Sequence, residues 1–252
     1  MRAVFGGGRA AFAFLTVIPV GRFGYSEAAW RWAAAWFPFV GAIVGAAGAG
    51  VFVLLRPTDT WVAAIGALTL TIVLTGAFHE DGLADSADAL GGSFDREKLF
   101  TILKDSRVGT YGALALILSV SLRAASLVAL DSAAPLALIL VHAVARTTPI
   151  WMMVGVPYVT SSDTSKSRPV VRTGWIHAAV ATAFALGLGA SFVATGSLSV
   201  RAAAWGVGAV TFVALAASRY FISRAGGITG DFLGATEQVN EITLLIVLAS
   251  VP

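Results

Sequence analysis

WVAAIGALTLTIVLTGAF, residues Trp61 to Phe78, runs without interruption into HEDGLADSADALGG, residues His79 to Gly92. The first part carries no charge over a length that crosses a bilayer, and the second places four acids within its first ten residues. A membrane-length apolar run set directly against clustered acids predicts a helical membrane protein with polar chemistry at one helix end.

The rest of the chain agrees. Hydrophobic residues make up 57% of the 252 and charged residues 12%, and mean hydropathy is +0.83, outside the range of water-soluble domains. Further apolar stretches run from Ala33 to Leu55, Tyr111 to Leu130, Ala134 to Val156, Trp175 to Val193, Ala202 to Phe221 and Phe232 to Val251. The expected fold is therefore all-α, a polytopic membrane bundle of about seven transmembrane helices forming a single domain over residues 1–252. The N-terminal segment 1–31 has a basic start and a short apolar run but lacks a small-residue cleavage site, so it is expected to remain as an interfacial helix. There are no cysteines, which excludes thiolate metal sites and disulfides.

Long polar connections (79–110, 160–173 and 218–231) alternate with very short turns at 56–60, 131–133 and 195–201. Alternation puts the long segments and the N-terminus on one side. That side holds Arg2, Arg9, Arg22, Arg31, Arg96, Lys98, Lys104, Arg107, Lys166, Arg168, Arg172, Arg219 and Arg224, thirteen of the 17 basic residues. The short-turn side has Arg56 and Arg201. The positive-inside rule then places the long segments in the cytoplasm of a prokaryotic inner membrane, which accounts for the net charge of +3 without nucleic acid as a partner. Nothing in the sequence sets the oligomeric state.

Asp81, Asp85 and Asp88 fall at i, i+4 and i+7, one face of a helix. Like charges so placed repel unless a cation sits among them, and lipid-facing acids at mid-depth would cost roughly 2.5 to 3.5 kcal/mol each. A solvated helix start, with Glu80 and Asp81 complementing the macrodipole, is the plainer alternative. Carboxylates at this spacing suit Mg²⁺, which takes one or two of them together with phosphate oxygens. The spacing does not fit an EF-hand.

Two further segments carry polar groups. KDSRVGTYG, Lys104 to Gly112, offers Asp105 and Arg107, a guanidinium able to clamp phosphate. GGITGDFLGATEQVNE, Gly226 to Glu241, is a glycine-rich turn entering a helix, with Asp231, Gln238 and Glu241 on one face. Gly227, Thr229 and Gly230 would line a phosphate nest there, though no lysine follows as in a Walker loop. Arg123 and Arg146 lie within spans and should face the interior to meet an acid or a phosphate; both are expected to bind substrate, with Arg146 expected on a substrate pyrophosphate, whose shape its planar fork matches. His142 and His177 are read as structural, and His79 as a neighbour of the acids. The four-residue spacing of Gly41 and Gly45 is read as a packing face.

FLTVIPVG at Phe14 to Gly21, FHEDGLADSADALGG, KDSRVGTYG and GGITGDFLGA together resemble the cobalamin synthase family, adenosylcobinamide-GDP ribazoletransferases, in the same order and from end to end of the chain. The resemblance implies that α-ribazole or its 5′-phosphate displaces GMP from adenosylcobinamide-GDP with Mg²⁺, a late step of nucleotide-loop assembly. It also implies Glu at the position of Gln238, where this chain departs. Such a reaction needs a metal to neutralise phosphate oxygens and a carboxylate near the nucleophile. Asp81, Asp85 and Asp88, supported by Glu80 and Asp231, are the expected ligands, with Asp88 or Asp105 the expected base. A transporter using an acidic cation or substrate path is the competing class, and a scaffold the third.

Overall fold

The computed structural model describes residues 2–21, 26–159 and 173–251. Among these the chain is helical throughout: α1 (Arg2–Leu15), α2 (Glu27–Leu55), α3 (Thr60–Thr75), α4 (Phe78–Gly92), α5 (Arg96–Ile102), α6 (Thr110–Leu130), α7 (Ala134–Val144), α8 (Thr148–Gly155), α9 (Trp175–Ala194), α10 (Val200–Ala225) and α11 (Gly230–Ser250), with a short 3₁₀ turn at Asp131–Ala133. Polar residues start these helices where apolar ones could not satisfy the free N–H groups. The Ser26 hydroxyl accepts from Ala29, Asp59 from Trp61 and Val62, Ser199 from Ala202 and Thr229 from Phe232.

Five helical segments are long and apolar enough to cross a membrane, six if α3 and α4 count as one broken span. One of the five, Thr110–Gly155, has 46 residues, about 69 Å if straight, more than twice a hydrocarbon core of about 30 Å. It folds back at Asp131, which has φ of +45°. The pairing of neighbours shows this. Ser119 and Arg123 of α6 meet Gln238 and Glu241 of α11 in parallel order, whereas His142 of α7 and Arg146 in the turn after it meet Glu241 and Glu237 in reverse order. Divided at Asp131, that segment supplies two crossings, so the described residues hold six apolar crossing segments besides the α3–α4 pair, against the seven expected.

One expected span ends early. The apolar stretch Trp61 to Phe78 is long enough to span, but Gly76 (φ +64°) and Ala77 (φ +56°) both adopt left-handed backbone, and α4 leaves α3 at 89°. The acid-bearing helix therefore lies across the end of the bundle instead of prolonging a span. The N-terminal segment, expected at the interface, packs as α1 along the start of α2, burying Ala10, Ala11 and Leu15, with Trp36 Nε1 donating to the Val4 carbonyl at 2.9 Å.

Contacts sort the connections to two ends. Arg56 and Asp131 pair at 2.7 Å across two short turns. At the other end Tyr158 bridges Ile228, Arg96 abuts Gly226, and Arg224 donates to the carbonyls of Leu90 and Ser93. The 160–173 loop, expected to join that end, falls outside the described residues except for Thr173.

The packing reading of the glycines is met at α2. A β-carbon on Gly41 would overlap the His142 carbonyl oxygen, and one on Gly45 that of Leu138. Gly41→Val is expected to destabilise the protein by about 3 kcal/mol or more, since neither backbone can retreat from a close-packed helix pair. Thermal unfolding in detergent measures it, with Gly50→Val, where nothing lies nearby, as the neutral comparison.

Candidate active site

Two ionic groupings form where α4, α6, α7 and α11 meet, and they differ in charge balance. The inner one is almost sealed. Arg123 Nη1 donates to Glu241 at 2.9 Å and Nη2 to Glu80 at 3.2 Å. Arg146 Nη1 lies 2.7 Å from Glu237 and 3.2 Å from Glu241, and also donates to the His142 carbonyl at 2.6 Å. His142 Nδ1 contacts Glu241, and His79 approaches Glu237 at 3.7 Å. Gln238 donates to Glu237 at 3.1 Å and accepts from Ser119 at 3.3 Å. Every acid here has a cationic partner, as a low-dielectric interior requires.

The expectation that Arg123 and Arg146 meet an acid or a phosphate resolves to acids. Arg123 is 1% and Arg146 3% exposed, so a substrate phosphate would have to displace carboxylates to reach them. Glu80, expected beside the metal, belongs to this inner network. Sequence reading passed over Glu237. It lies inside the Gly226–Glu241 segment, beside Gln238, and an acid within an apolar helix is a pattern that should by itself mark an interior cationic partner. His142, Glu237 and Glu241 bring one ligand atom each within 4.8 Å of one another, yet Arg146 already occupies that space, and a second cation there would face its charge.

The outer grouping is open and unbalanced. Gly82 allows α4 to touch α11, since a β-carbon there would press on the Asp231 backbone. That contact brings Asp81 and Asp85 toward Asp231. Burial first, and then the charges of Asp81, Asp231 and Asp88, push the Asp85 carboxyl from 3.8 up to about 6. Among the described residues no basic side chain pairs with Asp81, Asp85 or Asp231. Among the described residues Asp81, Asp85 and Asp231 do not bring three ligand atoms within 4.8 Å of one another, so a magnesium ion there would take one or two of these carboxylates and fill its shell with water and phosphate oxygens. Hard, anionic, oxygen-only donors with no cation of their own fit that metal.

Asp88 shares the helix face but does different work. Its two carboxylate oxygens accept from the backbone N–H groups of Gly109, at 2.6 Å, and Gly112, at 2.9 Å, capping α6. It thereby ties the Lys104–Gly112 segment to α4. Asp105 is chelated by Arg107, with contacts of 2.6 to 3.1 Å on an exposed loop, and those hydrogen bonds hold its carboxyl at about 2. So weak a base is poorly matched to proton abstraction near neutral pH. Gly227 is required by the close approach of the Pro157 carbonyl, Thr229 caps α11, and Gly230 borders a cavity of about 60 Å³ with His79, Arg146 and Glu237. His177 is structural, accepting from the Gly174 N–H at 3.0 Å.

Fold and site together define a polytopic helical membrane protein with a neutralised ionic core and with unpaired acids gathered at one end. The family model for cobalamin-5-phosphate synthase matches residues 7–249, and the chain belongs to that family. Proteins named adenosylcobinamide-GDP ribazoletransferase are similar along nearly their whole length: one from Leptothrix cholodnii is 39% identical over 92% of this chain and 90% of its own. One from Polaromonas naphthalenivorans is 40% identical over 95% of each, and one from Ralstonia nicotianae 37% identical over 94% and 92%. No solved structure matches the chain.

Proposed function

We propose that this chain joins adenosylcobinamide-GDP to α-ribazole or its 5′-phosphate, releasing GMP, at the outer acidic site facing the cytoplasm. A ribose hydroxyl of the acceptor attacks the phosphate attached to cobinamide, the P–O–P bridge breaks, and GMP leaves with the bridging oxygen. The observation that carries the reading is the unpaired set of Asp81, Asp85 and Asp231, beside an inner network in which every acid is paired. Such a set repels a pyrophosphate unless a cation lies between them, so the ligand it fits is Mg²⁺ with phosphate. Bound there, Mg²⁺ would neutralise phosphate oxygens and stabilise the charge on the leaving GMP.

The protein's own groups do the remainder. Asp81 and Asp85 on α4 and Asp231 on α11 would hold the metal, and the Gly82 contact keeps the two helices in register. Asp88 positions the Lys104–Gly112 segment, whose exposed Arg107 would have to exchange its Asp105 partner for a substrate phosphate. The inner ion pairs clamp α4, α6, α7 and α11 so that the acids stay in place. The bias of basic residues to the site's side supports a cytoplasmic face.

A transporter would need its acids along a path through the membrane, whereas here the unpaired ones gather at one end, on the crosswise helix α4 and at the start of α11. Purified protein in detergent micelles, given adenosylcobinamide-GDP, α-ribazole and Mg²⁺, should yield the joined corrinoid and GMP by chromatography. A transporter would yield neither in micelles.

A further inference from the structure

We propose that the groove between α5 and the Tyr158–Val159 segment holds the guanosine phosphate half of the substrate. This rests on the transferase reading and adds to it a nucleotide subsite. The groove is open, has a volume of about 670 Å³, and is lined by Arg96, Glu97, Phe100, Thr101, Lys104 and Tyr158, two cations against one acid. Its two cations are exposed, and among the described residues neither is paired with an acid, unlike Arg107, Arg123 and Arg146. Cations beside aromatic rings are what a purine nucleotide requires: a flat face to stack on and positive charge for its phosphate.

Position ties the groove to the acids along two segments. Arg96 lies against Gly226, and five residues further on is Asp231. Lys104 lines the groove, and five residues on is Gly109, whose N–H is held by Asp88. Five residues reach at most about 18 Å, so one substrate can rest its purine in the groove with its pyrophosphate toward Asp81 and Asp85. The Tyr158–Ile228 bridge, with Val159 N–H donating to Ile228 at 2.8 Å, fixes the groove's wall to the same glycine-rich turn.

The test is GMP binding to the full-length protein in micelles, by calorimetry, for the parent, Lys104→Gln, the double variant Arg96→Gln/Lys104→Gln, and Arg201→Gln at the opposite end. Loss of a charge-assisted phosphate contact weakens binding by about tenfold or more. The GMP dissociation constant should rise at least that far in Lys104→Gln, further in the double variant, and not in Arg201→Gln. KM for adenosylcobinamide-GDP should rise in step, while KM for α-ribazole stays within about twofold. Lys104→Gln breaks no described contact, so its melting temperature should match the parent's. Parent-like GMP affinity in the double variant overturns the subsite, even if GMP is still released from adenosylcobinamide-GDP and the transferase reading survives. The same holds if the double variant loses only co-purifying anionic lipid, since the groove would then hold a headgroup. Groove-dependent GMP binding without turnover would uphold the subsite and remove the transferase reading.

Discussion

Asp81→Asn and Asp85→Asn are each expected to lower GMP release by about 10²-fold or more, because the cation they hold contributes several kcal/mol to phosphoryl transfer. Asparagine keeps the shape, and removing one of several mutually repelling charges should leave the fold intact or slightly firmer. Combining the two changes should add little, since losing either ligand already displaces the ion. A pH dependence follows with a definite sign. Asp85 is raised from 3.8 to about 6, so metal-free protein loses stability as pH climbs through that range and the carboxyl is forced to ionise. Mg²⁺ favours the ionised form. It should therefore raise the melting temperature of the parent well above pH 6, with the effect fading by pH 5, and should do so far less in Asp85→Asn. Near-parental turnover in either single variant would remove the aspartates from the site.

The largest stability effect is expected at Glu241. Its carboxylate meets Arg123, Arg146 and His142 with about 1% of the residue exposed. Glu241→Gln leaves two buried guanidiniums short of a counter-charge, and breaking a buried pair by removing one partner costs about 3–5 kcal/mol. The variant should unfold at a much lower temperature in detergent and express poorly. Glu80→Gln, which strips one partner from Arg123 but leaves Glu241 in place, should lose less. Equal melting temperatures for the parent and Glu241→Gln would show that the inner network is not what clamps α6, α7 and α11 together.

The acids and buried arginines were legible because charge in an apolar chain is costly wherever it falls, so each must have a reason. What the reason is depends on tertiary neighbours. Asp81, Asp85 and Asp88 share a helical face by spacing alone, but only the approach of α6 turns Asp88 into a cap for Gly109 and Gly112. Arg123 and Arg146 could as well have met phosphate as carboxylate, and Glu237 and Glu241 decide that from another helix. The bend at Gly76 and Ala77 was hidden because an apolar run reads alike whether it continues or turns, and Ala77 carries none of the usual signs of left-handed backbone. The hairpin at Asp131 was plain, since a polar turn between two membrane-length runs has one economical solution.

In the proposed mechanism the unpaired acids act only with a divalent cation between them and the pyrophosphate. The direct test is turnover by metal-stripped protein in micelles at pH 7.5, with adenosylcobinamide-GDP and α-ribazole, as Mg²⁺ is added back. The expected result is no GMP release in excess EDTA and a saturable recovery with Mg²⁺. Undiminished GMP release in excess EDTA would contradict it.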